Sequence, residues 1–157
     1  MRRIQGTLVR DVAIRQVETI GPDATLAQCA EVMRDKHVGS LVVVEEQRGA
    51  VRPIGIVTDR DIVLEAVAPR LDPETLTAAE VMAPALGTVR EDADVVEVLA
   101  RMGEQGARRI PVTTESGELG GIVAMDDVVA ALAEQLNDIV EVCAAERKVE
   151  IKTRRRR

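Results

Sequence analysis

The chain has 157 residues, a formal charge of -6, nearly a third of its residues charged, and no Phe, Tyr or Trp. That length holds one respectable core or two small half-cores sharing an interface, which argues against two independent domains. Without aromatic side chains there is no base-stacking platform for single-stranded nucleic acid, and an acidic body repels phosphate backbones.

Basic charge gathers at Lys152 and Arg154 to Arg157, read as a solvated tail on which any nucleic-acid contact would have to rest. No apolar run reaches the roughly 18 residues of a membrane span. Met1-Arg2-Arg3-Ile4-Gln5 has no apolar region behind its arginines, so a cytoplasmic protein is expected. Cys29 and Cys143 stand far apart on helical apolar faces and read as small buried hydrophobes. His37, the only histidine, has no second ligand within helical reach; a helix-end or surface histidine is expected, and no metal site.

After a loose leader over 1–6, Thr7 to Ala13 reads as a short turn of helix and Val17 to Ile20 as a short strand. Gly21-Pro22-Asp23 turns the chain, with Asp23 as N-cap. Leu26, Ala30 and Met33, with Cys29 beside them, form one face of a helix ending near Lys36. Leu41 to Val44 is a strand of the fully buried kind, Glu45 to Arg52 a polar loop, and Pro53 to Val57 the next strand. A helix follows from Asp59 to about Ala68, then a connector from Pro69 to Leu76.

A shift of 69 returns the pattern. Val12 meets Val81, Thr19 meets Thr88, Asp23-Ala24 meets Asp92-Ala93, Met33 meets Met102 and Val43 meets Val112. Past the longer first loop the shift becomes 66, so Gly55-Ile56-Val57 meets Gly121-Ile122-Val123 and Asp61 meets Asp127. This is an internal repeat of strand, helix, strand, strand, helix. Neither copy covers both faces of its sheet, so the fold class is α+β, two such units packed through a pseudo-two-fold axis with two related clefts between them. The expected boundaries are 7–69, 76–138, and a helical extension with basic tail over 139–157. In the last helix Val129, Leu132, Leu136, Ile139 or Val140, and Cys143 continue an apolar stripe for about four turns. It either folds back or, as we prefer, joins two chains.

The repeated corner Gly55-Ile56-Val57-Thr58-Asp59-Arg60-Asp61 runs from a buried strand into a helix. Its glycine admits another backbone or a flat ligand, Thr58 stands where free helix N–H groups point outward, and Asp61 lies one turn in. Thr-x-x-Asp is equally the spacing of a capping box.

Two copies of this β-α-β-β-α pattern resemble a tandem pair of CBS domains, the Bateman module, over roughly residues 7 to 138. The likeness rests on a Thr followed five residues later by Ala at the first strand-to-helix turn, on Arg108-Arg109-Ile110-Pro111-Val112, and on Gly-Ile-Val-Thr-x-x-Asp at the second turn. The resemblance implies a regulatory binding module rather than a catalyst. Its clefts would take an adenosine-containing ligand (AMP, ADP, ATP, S-adenosylmethionine or NAD), and its chains would pair as homodimers. It assigns the ribose hydroxyls to Asp61 and ribose or phosphate to Thr58. The opposing repeat would supply Thr88, Ala93, Ala107 and Arg108, and Gly39 and Ile56 join the set. Arg108 and Arg109 suit a phosphate by bidentate geometry, or form a solvated strand edge. A weaker second cleft would use Asp127, Thr19, Ala24, Val38 and Gly39; there Ala124 replaces the threonine and Asp126 adds negative charge. No catalytic dyad or metal cluster is apparent, so no enzyme and no required cofactor is expected. The alternative is a structural dimerisation module with vestigial clefts.

Overall fold

The computed structural model describes residues 7–84 and 87–154, without the side chains of Pro84 and of 145–154; the loose leader and the last three arginines lie outside the described residues. An opening helix α1 (Val9–Val12) precedes β1 (Thr19–Ile20), α2 (Leu26–Lys36), β2 (Ser40–Gln47), β3 (Ala50–Thr58) and α3 (Asp59–Ile62). α3 runs on as a π-helical turn over Val63–Val67. A second opening helix α4 (Ala78–Val81) and β4 (Ala83–Pro84) then lead into β5 (Val89–Arg90), α5 (Val95–Gln105), β6 (Arg109–Thr113), β7 (Leu119–Ala124) and α6 (Met125–Arg154). In each repeat the first strand pairs parallel to the second and the second antiparallel to the third, so both expected β-α-β-β-α units are present.

Local chemistry moves three details. α2 is capped by Thr25, whose hydroxyl accepts from Gln28 N while Gln28 Oε1 accepts from Thr25 N, so Asp23 is not the N-cap. A capping box satisfies two end donors at once, which an Asp two residues earlier cannot do. His37 ends α2 in the left-handed region at φ 55°, the helix-end role expected of it. Glu45 to Arg52 is no loop: β2 and β3 stay paired there, and Arg48 and Gly49 both have positive φ, the geometry of a two-residue hairpin turn that follows the strand twist. Polar side chains on an exposed ribbon leave its backbone pairing intact. Cys29 is buried, and burial pushes its thiol pKa up; Cys143 is exposed, contrary to expectation, because α6 has left the core by then.

The two halves are held together by exchanging their opening helices. Val9 is fully buried, not in the first repeat but in the core of Val89, Val95, Val98, Met102, Ile110, Val112, Val123 and Val128. Ala78 of α4 is fully buried in the first repeat's core of Leu26, Cys29, Leu41, Val43 and Val57. The backbone bonds are reciprocal. Val9 N donates to Ala93 O at 2.9 Å, and Ala78 N to Ala24 O at 2.8 Å; Val95 N donates to Thr7 O at 3.0 Å, and Leu26 N to Leu76 O at 2.9 Å. Each pair is related by the shift of 69, which is what a two-fold relation between repeats demands.

The chain then continues from each opening helix onto the sheet edge it has crossed to. Ile14 bridges Ile122 of β7, and Ala83 of β4 pairs with Ile56 of β3. Here the repeated glycines find their reason. A Cβ at Gly121 would lie 2.8 Å from Ile14 O, and one at Gly55 would lie 2.3 Å from Met82 Sδ and 3.0 Å from Ala83 O. They are bare so that an exchanged backbone can approach.

Two outcomes follow. Burying a valine is worth about 1.5–3 kcal/mol; a chain ending near Pro73 exposes Val9 and loses Ala78 from its own core. It is expected to aggregate or stay poorly folded, and a soluble monomeric half with a sharp melting transition would contradict the exchange. Gly121→Val presses a side chain onto a carbonyl that cannot yield, at a cost of about 1–3 kcal/mol or several degrees of melting temperature. Gly21→Ala, with nothing within 4 Å of the new methyl group, is expected to change stability by no more than about 0.5 kcal/mol. Equal effects in calorimetry would contradict the close-approach argument.

Candidate functional site

The end of β3 and the start of α3 place Thr58 and Asp61 side by side. Thr58 is the N-cap, and both its N–H and its hydroxyl donate to Asp61 Oδ2, at 2.8 and 2.7 Å, while Asp61 N donates back to the threonine Oγ1 at 3.2 Å. The capping-box reading of this spacing is thus realised. The hydroxyl has given its one proton to Asp61 and retains acceptor capacity only. Asp61 Oδ1 makes no hydrogen bond among the described residues, so one carboxylate oxygen stays available. The equivalent corner is looser: Ala124 has no hydroxyl, and Asp127 Oδ2 accepts only from Ala124 N, at 3.2 Å.

A cleft of about 480 Å³ opens between the two corners, within the size range of small-molecule sites. The first repeat contributes Ile56, Thr58, Asp59, Arg60 and Asp61, and β4 contributes Ala83. Opposite them stand Gln105 and Gly106 at the end of α5, then Ala107, Arg108 and Arg109, with Ala124, Met125 and Asp126 closing the floor. The left-handed Gly106, φ 62°, stops α5 at the cleft mouth and turns the chain into β6. Arg108 O accepts from Met125 N at 2.9 Å, which fixes the arginine pair beside the second corner. Both arginines are exposed, and among the described residues neither forms an ion pair.

Of the residues expected to share the stronger cleft, Thr58, Asp61, Ile56, Ala107, Arg108 and Arg109 come together. Thr88, Ala93 and Gly39 do not line it. Ala93 is covered by α1 through the bond from Val9 N, and its counterpart Ala24 by α4 through Ala78 N, so the Ala at each first turn seats an exchanged helix. Thr88 O accepts from the Arg101 guanidinium at 3.4 Å. Gly39 lies under its own corner, its carbonyl accepting from Asp59 N at 3.1 Å. Thr19, Ala24, Val38 and Asp127, expected in the second cleft, are likewise absent from this lining. Sequence reading missed Arg60, a third guanidinium at the mouth, and Gln105-Gly106; the glycine after a helical run was the available signal for the latter. Among the described residues no group of three or more His, Cys, Asp or Glu stands ready to hold a metal, and no helix is long and apolar enough to cross a membrane.

Repeated corners, paired sheets and a cleft between them define a tandem binding-module architecture. The chain belongs to the CBS domain family, whose model matches residues 9–68 and again 78–134. Hypoxic response protein 1 of Mycobacterium tuberculosis is 36% identical over 128 residues, covering 82% of this chain and 87% of that protein. The crystal structure of Hypoxic Response Protein I with two coordinated zinc ions superposes with a TM-score of 0.69 at 35% identity, over 79% of this chain and 98% of that one. A CBS domain protein from Pyrobaculum aerophilum, complexed with AMP, gives a TM-score of 0.72 at 26% identity, over 83% of this chain and 99% of that one. The hexameric CBS-CP12 protein from bloom-forming cyanobacteria gives 0.70 at 26% identity, over 89% of this chain and 88% of that one.

The Thr58–Asp61 pair makes a measurable contribution to stability. Asp61→Ala removes the oxygen that accepts from both the N–H and the hydroxyl of Thr58 and is expected to cost about 0.5–2 kcal/mol, lowering the melting temperature by a few degrees. Asp127→Ala, which breaks one longer bond, is expected to cost less. Calorimetry showing the reverse order would contradict the difference between the two corners.

Proposed function

We propose that this chain is a regulatory module, not an enzyme, that takes an adenosine-containing ligand in the cleft between Thr58–Asp61 and Arg108–Arg109 and thereby alters a partner protein or its own assembly. The observation that carries this reading is the meeting, in one cleft, of a carboxylate and the guanidinium groups of the opposite repeat, one carboxylate oxygen and both guanidinium groups being without a partner among the described residues. A carboxylate oxygen accepts from vicinal ribose hydroxyls, and guanidinium groups suit phosphate by paired N–H donors. The AMP held by the Pyrobaculum relative supports the ligand class. AMP, ADP, ATP, S-adenosylmethionine and NAD all carry the required ribose. Thr58, its proton committed to Asp61, serves in this reading to hold the carboxylate still; phosphate falls to Arg108, Arg109 and Arg60.

The corner with Ala124 and Asp127 is the weaker one, because its carboxylate is held by a single longer bond and Ala124 lacks the hydroxyl. One observation favours the competing reading of a structural dimerisation module: Thr58 and Asp61 already satisfy much of each other's bonding capacity without a ligand.

Isothermal titration of the full chain against the adenosine panel separates the two. Asp61→Ala is expected to remove most of the binding and Asp127→Ala to change it little, each variant first shown to be folded by circular dichroism. Arg108→Ala is expected to weaken ADP and ATP about ten- to a hundredfold, the worth of a lost charged hydrogen bond, while leaving adenosine nearly unchanged. Equal losses from Asp61→Ala and Asp127→Ala would refute the asymmetry, and no heat from any ligand in the wild type would establish the structural module instead.

A further inference from the structure

The cleft is less basic than its arginines suggest. Asp59, Asp61 and Asp126 line it together with Arg60, Arg108 and Arg109, so its formal charge is balanced. Two of the three carboxylates are bound to their own corner. Asp61 Oδ2 accepts twice from Thr58, and Asp59 Oδ1 accepts from Arg60 N at 2.8 Å while Asp59 Oδ2 lies over Gly39, 3.1 Å from where a Cβ would stand. Asp126 is exposed, and among the described residues its carboxylate makes no hydrogen bond and no ion pair.

The repeat places this carboxylate against an arginine. A shift of 66 sets Asp126 on Arg60, so the two corners carry opposite charges at one position, and both residues line the same cleft. The bond from Met125 N to Arg108 O, 2.9 Å, holds the neighbouring Asp126 on the wall that carries the arginine pair. The negative charge expected to weaken a second cleft therefore stands in this one. A phosphate that meets Arg108 and Arg109 has an uncommitted carboxylate on the same wall. Each further phosphate adds negative charge to a cleft already in balance, and like charges repel more strongly in a partly enclosed cleft than in open water.

Resting on the reading that the cleft takes an adenosine-containing ligand, we propose that Asp126 limits how many phosphates that ligand carries, so that one is taken in preference to two or three. The arginines supply the attraction, and Asp126 discriminates by repulsion. Without it, three guanidinium groups would favour the most highly charged nucleotide.

Titration calorimetry of the full chain with AMP, ADP and ATP tests this, without magnesium so that phosphate charge stays unmasked. The wild type is expected to bind AMP more tightly than ATP. Asp126→Asn, a near-isosteric change at an exposed position, is expected to keep its circular dichroism and to move the ratio of ATP to AMP affinity toward ATP by about tenfold, an effect that shrinks as salt is raised. Asp138→Asn removes the same charge from α6 outside the cleft and is expected to leave the ratio unchanged. A wild type that prefers ATP, or an unchanged ratio in Asp126→Asn, would overturn the proposal while leaving the adenosine reading intact. An equal shift in Asp138→Asn would also defeat it, since net charge alone would then be at work. No heat from any of the nucleotides, in the wild type or in Asp126→Asn, would overturn the adenosine reading and this proposal together.

Discussion

Everything in this molecule depends on two short helices lying in each other's half. Three backbone hydrogen bonds on each side, related by the repeat, seat α1 on the second core and α4 on the first. Neither helix has the length to persist alone, since four residues close at most one turn and nucleation is unfavourable. Each becomes ordered only because Val9 or Ala78 is enclosed by side chains of the opposite repeat. The repeats are therefore joined through shared cores rather than stacked as finished domains. The cleft between their corners inherits its geometry from that joint, and Ala83 lines it as part of the crossing strand.

The pseudo-symmetry is strict in the backbone and broken in the chemistry. Asp59 N and Met125 N donate to Gly39 O and Arg108 O, matching bonds at matching corners. The side chains at those positions differ, glycine against arginine beneath the corner and threonine against alanine at the cap. One corner thus holds its carboxylate with two short bonds, the other with one longer bond, and the arginine pair of the second repeat has glycine and serine as its counterparts in the first. Duplication supplies the frame, and a few substitutions make its two corners chemically unequal.

The repeat, both sheets and the capped corner at Thr58–Asp61 could be read from residues alone because they are written in local signals: β-branched runs, Thr-x-x-Asp spacing, and identities at a fixed shift. The exchange of the opening helices could not. Val9 and Ala78 have the same neighbours in sequence whichever core receives them, and the choice is made by tertiary packing. Its trace was present in Gly55 and Gly121, read only as places where some backbone or ligand comes close. The same blind spot explains why Ala93 was expected at the cleft. A turn that looks open in sequence is closed when a distant helix donates to its carbonyl. Cys143 failed differently, since apolar periodicity reports a face that seeks burial and says nothing about whether its own chain provides the cover.

The crossing of α1 also fixes an order of events during synthesis. Val9 leaves the ribosome well before the residues that enclose it, which extend to Val128. The first core remains open until Ala78 has followed. Domains commonly fold as units while translation proceeds, but the first repeat is no unit that can be completed by itself: Val9 waits, unburied, for the second repeat. Contacts so far apart in sequence must overcome the entropy of closing a long loop before they return any stability. A nascent first repeat is thus an exposed apolar surface for most of the time the second is being made, and the completed fold is reached in one late step rather than two successive ones.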